Sequence, residues 1–131
     1  MKKFVSTVIV IVVLLVLCLS LSAYFKPARN TGSSEVFTEN EINKAMDTVE
    51  KYFRKNFKDC KLTKLWYDEE ITIREAEDDY TSGKTIVILS NFTVGDNGPV
   101  ALNDNYTYEN YMFTLVRDDS KSSWKVKDSG Y

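Results

Sequence analysis

The sequence predicts an α+β domain carried behind an N-terminal transmembrane or signal helix, the domain being a long helix packed on a curved antiparallel sheet of about four strands. Three observations predict it. The 22 residues from Phe4 to Phe25 hold no charge. The stretch Thr38 to Phe57 repeats its apolar residues at spacings of three and four. Beyond Asp59, short segments alternate apolar and polar residues between turn-rich stretches.

The N-terminal run, centred on VIVIVVLLVLCLSLS, is long enough as a helix to span about 33 Å, close to a hydrocarbon core of roughly 30 Å. Lys2 and Lys3 precede it, so the positive-inside rule leaves the domain outside. Three fates are open: an uncleaved anchor, a signal peptide cut near the small residues Ser20, Ser22 and Ala23, or lipidation at Cys18. Leu17 departs from the small residue that usually precedes a lipidated cysteine. A buried core helix fits poorly, since the remaining domain is too small to surround it. The chain is thus expected to divide into a membrane or signal segment (1–25), a flexible linker (26–35, KPARNTGSSE) and an extracytoplasmic domain (36–131).

Within the domain, Thr38 and Glu41 form a capping box, and Phe37 and Ile42 take the positions of a hydrophobic staple. Ile42, Ala45, Met46, Val49, Tyr52, Phe53 and Phe57 make one apolar stripe, with acids early and Lys/Arg late to suit the helix dipole. LTKLWY (62–67) reads as a strand. Residues 68–80 are ambiguous, with Ile71 and Ile73 suggesting strand while Ile73, Ala76 and Tyr80 at helical spacing favour a short helix. After the Ser82-Gly83 turn, TIVILSNFTV (85–94) is the clearest strand, Ile86, Ile88, Phe92 and Val94 facing one way and Val87 and Leu89 the other. A turn-rich loop (95–105) leads to a strand over 106–117, a polar hairpin turn over 118–123 and a last strand with Trp124, Val126 and Asp128 in alternation.

Composition narrows the chemistry. The chain contains no histidine, which excludes Ser-His-Asp and Cys-His catalysis and His-ligated zinc. With Lys2 and Lys3 set aside, 15 basic residues face 19 acidic ones, a net charge of −4, which is no footprint for nucleic acid. Cys18 lies in the apolar run, so the domain has one cysteine, Cys60, and no internal disulfide. Neither a cofactor nor a metal is expected.

From Phe37 to Tyr131 the chain resembles the small bacterial envelope proteins grouped as domain of unknown function 4829, within the nuclear-transport-factor-2-like, SnoaL-like and cystatin-like fold group. The resemblance rests on FTENEI, YFRKNFKDCKLTKLWYDEE, VILSNF, LVRDD and WKVKDSGY, and YFxxNFxxCxLxxLWYDE is its most specific part. It implies a cone-shaped sheet wrapped by helices and an extracytoplasmic, Gram-positive location. It implies no activity, because a fold of this kind hosts enzymes and binding modules alike.

Candidate sites follow from residue types. Tyr67 and Asp68 place a phenol beside a carboxylate, as an isomerase of this fold group would require; the ordinary alternative is that Tyr67 packs and Asp68 caps a short helix. Trp66, Phe92 and Tyr111, with Tyr67 and Asp68, are the residues expected to line a pocket for an apolar ligand, against the alternative that the aromatics fill the core. Asp96, Asn97, Asn103, Asp104 and Asn105 are hard-oxygen donors without EF-hand spacing and are ordinary turn residues too. Asn91 and Asn105 match the glycosylation pattern, coincidentally if the source is bacterial. Cys60, near Lys58, Lys61 and Lys64, is either a reactive thiol or a small buried apolar residue. The expected role is a membrane-tethered binding or accessory module without catalysis. Expected partners are the membrane, an envelope protein or the cell wall, and a second copy of the chain in a homodimer. The alternative is a carrier of a small hydrophobic ligand, or an isomerase, using the cone interior.

Overall fold

The computed structural model describes residues 2–24 and 26–131, with only the backbone described for 19–24. Helix α1 (Lys2–Tyr24) is followed by β1 (Ala28–Asn30), α2 (Glu39–Asn56), β2 (Cys60–Tyr67), α3 (Glu69–Ala76), a 3₁₀ turn (Glu77–Asp79), β3 (Thr85–Val94), β4 (Thr107–Val116) and β5 (Lys125–Gly130). The strands form one sheet in the order β1-β2-β3-β4-β5.

The sheet therefore has five strands and is mixed, not four and antiparallel. The extra strand lies in the stretch expected to be a linker. Ala28, Arg29 and Asn30 run parallel to β2, opposite Lys64, Leu65 and Trp66. Arg29 explains why so short a strand stays in place: one guanidinium nitrogen reaches Asp47 at 2.7 Å and Glu50 at 2.6 Å on α2. Burial pulls that guanidinium's pKa down, and the two carboxylates outweigh it.

Helix α2 forms as its sequence requires. Thr38 Oγ1 accepts from the Glu41 N–H, and Glu41 Oε2 accepts from the Thr38 N–H at 2.7 Å. Ile42, Ala45, Met46, Val49 and Phe53 are buried against the sheet. They join Leu65, Ile86, Ile88, Phe92, Phe113 and Leu115 in one core. Phe57 closes its end, with rings of Phe53, Phe92, Tyr111 and Phe113 between 4.6 and 6.1 Å away.

Within residues 68–80 the chain is helical from Glu69 to Asp79, first as α3 and then as the 3₁₀ turn. Asp68 Oδ1 accepts from the Ile71 N–H and starts α3. Helix α3 covers the second face of β3, where Val87 and Leu89 are buried. Thr72 supports the sheet there: its hydroxyl donates to Val87 O and accepts from Val87 N, 3.3 Å each. Irregularities at Leu62/Lys64, Ser90/Phe92 and Thr114/Leu115 interrupt the ladders, and such bulges bend a sheet.

Helix α1 has 23 residues, and its described apolar side chains are all exposed, from 45% at Val8 to 77% at Phe4. Those side chains end at Cys18, and among the described residues no helix is long and apolar enough to cross a membrane.

Candidate functional site

The five residues expected to line a pocket are not gathered around one. Phe92 is fully buried, Tyr67 and Tyr111 nearly so. The Phe92 and Tyr111 rings meet edge to face at 5.2 Å inside the core. Tyr67 packs its edge on Phe37 at 6.1 Å. Asp68 caps α3. Trp66 alternates away from Leu65 and Tyr67 along β2 and lies under Lys64 Nζ, 4.9 Å from its ring. None of the five lines any of the four cavities described below.

The phenol and carboxylate that do meet are Tyr80 and Glu69. Glu69 Oε1 accepts from Tyr80 OH at 2.6 Å, from Ser34 Oγ at 2.7 Å and from the Glu35 N–H at 2.9 Å. Ser34 Oγ in turn accepts from Tyr67 OH and from the N–H groups of Val36 and Phe37. Tyr80, then Ser34 and Glu35, hold the Glu69 carboxyl below the usual carboxylate range. Burial and the bond to Glu69 push the Tyr80 phenol well above its ordinary value. A carboxylate held low is a poor proton acceptor at neutral pH, and a phenol held high a poor donor. Together they make a clasp between the segment before α2 and the start of α3. An open cleft of about 450 Å³ runs beside it, from Gly32 to Ile42.

A second polar centre is Arg117, its side chain only 4% exposed. It donates to Gly83 O at 2.8 Å and to Glu41 Oε1 at 2.8 Å, and lies 4.2 Å from the Trp124 ring. A cavity of about 320 Å³ opens beside it, toward Lys44, Asp47 and the hairpin at 120–124.

The largest of the four cavities, about 680 Å³, lies at the other end of α2. Phe53, Phe57 and Leu62 form its apolar floor, and Lys26, Arg54 and Lys58 stand on its edge. Cys60 also lines it and, with Asp59, Lys61 and Gly95, a shallower one of about 250 Å³. The Cys60 thiol donates to Lys58 O at 3.4 Å. Burial first, and Asp59 second, push that thiol up, so the neighbouring lysines do not activate it. Sequence reasoning assigned Phe53 and Phe57 to the core stripe. Phe57 at the stripe's end, between Arg54, Lys55 and Lys58, is the signal that marked an amphipathic edge.

Of the loop donors, Asp104 holds the loop itself, and Asp59 from outside the loop helps. Asp59 Oδ2 accepts from the Asn97 N–H at 2.8 Å, and Asp104 Oδ1 from the Gly98 N–H at 3.3 Å. Among the described residues no three His, Cys, Asp or Glu side chains are grouped to hold a metal ion. Asn91 is half-buried, and its amide oxygen accepts from the Asn110 N–H. Cys18 is exposed on α1, and both cysteines are free.

No protein-family model, no curated protein and no solved structure matches this chain.

Proposed function

We propose that the protein is a non-catalytic binding or accessory module of a bacterial cell envelope, tethered by α1 and presenting residues 26–131 outside the cytoplasm. The observation that carries this reading is α1 itself. Its apolar side chains from Phe4 to Leu17 stand about half exposed or more, behind Lys2 and Lys3 and with no acid among them. So much exposed aliphatic surface needs a cover, and the hydrocarbon of a bilayer supplies one.

The core supports a role for the outer surface. Phe92, Phe113, Leu65, Ile86 and Ile88 leave no exposed surface in the interior, so a ligand would meet the domain from outside. One such surface holds tyrosines. Tyr106 and Tyr131 are exposed and lean on Tyr108 at 4.8 and 6.3 Å. Aromatic rings with a polar tip suit an envelope protein, the cell wall or a second copy of the chain. The resemblance to domain of unknown function 4829 belongs to the same reading.

A reporter enzyme active only outside the cytoplasm, fused after Tyr131, tests the topology. Alkaline extraction of the cell membranes tests the tether. An active reporter on a chain that stays in the extracted pellet is the expected result. A silent reporter and a chain recovered in the soluble fraction of lysed cells would overturn the reading.

A further inference from the structure

We infer that the groove at the end of α2 is a docking site for anionic phospholipid of the bilayer that holds α1, taking the headgroup at its basic edge and the first acyl carbons on its apolar floor. The inference rests on the tethered reading above and deepens it.

Three observations carry it. The first is charge. Although residues after the apolar run sum to −4, Lys26, Arg54 and Lys58 are exposed and stand together on one rim. None of the three has an ion pair among the described residues. Of the two acids at the groove, Glu50 is taken by Arg29 at 2.6 Å, which leaves one carboxylate, Asp59, its Oδ2 accepting from the Asn97 N–H, against the three cations. The second is the floor. Phe53 and Leu62 are nearly buried and Phe57 half-buried, so apolar surface lies directly beneath the cations. The third is position. Lys26 and Pro27 line the groove and follow within three residues of Tyr24, where α1 ends. A site so near the end of a membrane helix lies within reach of the headgroups. Each basic side chain near an anionic surface adds attraction that salt screens.

Cys60 supplies the probe. The full chain carrying Cys18→Ser, labelled at Cys60 with a polarity-sensitive dye, is placed in nanodiscs of neutral phosphatidylcholine or of phosphatidylcholine mixed with phosphatidylglycerol. The expected result is a blue shift in the mixed discs alone, reversed by high salt. Arg54→Glu with Lys58→Glu is expected to raise the phosphatidylglycerol content needed for half the shift by about tenfold or more. Co-elution with discs reads the tether separately, and the reversed variant is expected to keep it. A chain that stays out of the discs would sink the tether, and the same labelled chain is then read against phosphatidylglycerol vesicles. Equal emission in both lipids, or a shift that survives charge reversal, would overturn the docking site. So would an equal shift from soluble glycerol phosphate in neutral discs, which would assign the groove to free phosphate esters.

Discussion

Arg117 Nη2 donates to Glu41 Oε1 across 2.8 Å and ties the residue after β4 to the first turn of α2. Glu41 is fully used. Its other oxygen takes the Thr38 N–H at 2.7 Å, and its main-chain carbonyl takes the Trp124 indole N–H at 3.2 Å. The same guanidinium holds Gly83 O, where φ is 67° in the turn before β3. One buried cation thus fixes the helix start, the turn into the central strand and the hairpin before β5 against each other.

Replacing Arg117 by Met keeps the bulk and removes the charge. The Gly83 carbonyl and one Glu41 oxygen then lose their donor in a site where the arginine side chain is 4% exposed. Breaking a buried pair from one side costs about 3–5 kcal/mol. Glu41, at 22% exposed, regains some water, so a loss of about 2–4 kcal/mol in urea unfolding is expected. The double variant with Glu41→Gln should lose less than the sum of the two single changes. Additive losses would mean that the contact contributes nothing beyond its parts.

Acid should weaken the fold through two carboxylates. Burial pushes Glu41 up, but the Thr38 N–H and Arg117 outweigh it and hold it below its ordinary value. Glu69 is held low by Tyr80 first. A carboxyl whose folded pKa is depressed stabilises above its unfolded value, near 4.5, and loses that contribution as pH falls through the folded one. Tyr80 runs the other way. Its stabilisation is complete below the ordinary value of 10 and is lost as pH rises through the raised one. In Tyr80→Phe, the Glu69 carboxyl carbon should titrate closer to the ordinary range by NMR. An unchanged Glu69 titration would show that the phenol is not what holds it.

Thr72→Val tests the ladder where β2 has ended. The pairing of β3 with β2 stops at Ile88 opposite Tyr67, and the Thr72 hydroxyl takes over both main-chain groups of Val87. Valine fits the space but supplies neither partner. Two buried backbone groups left unpaired should cost roughly 2 kcal/mol or more, read as a lower denaturation midpoint with an unchanged slope. A change within about 0.5 kcal/mol would show that the chain relaxes to pair them elsewhere.

What the sequence disclosed was local. Thr38 and Glu41 announce a helix start because both partners lie within four residues. The alternation in 85–94 announces a strand buried on both faces, as Ile86 and Val87 prove to be. Asp68 was legible as a cap for the same reason. Strand β1 was not, because three residues carry no period and Arg29 finds Asp47 and Glu50 only once α2 has packed. The pocket candidates turn on a related point. Aromatic residues on strands look alike whether they line a cavity or fill a core, and Phe92 and Tyr111 fill it. The groove draws on the last turn of α2, the start of β2 and the segment after α1, three stretches that no window of sequence brings together.

Strand β1 bears on how closely the domain is held to α1, since only residues 25–27 separate Tyr24 from Ala28. If Arg29 pins that strand, its removal should release the strand and little else. Arg29→Ala loses the contacts to Asp47 and Glu50 and the weaker ones to Asn43 at 3.3 Å. The guanidinium is about a quarter exposed, so the contacts are worth about 1–2 kcal/mol, a factor of roughly 5–30 in local opening. Hydrogen exchange should then accelerate by that factor at residues 28–30, while the amides paired between β2 and β3 keep their rates. The wild type carries its own test. Exchange at 28–30 already as fast as in an unprotected peptide would mean that the segment is the flexible linker its Pro, Gly and Ser content predicts, and that α1 holds the domain on a loose tether.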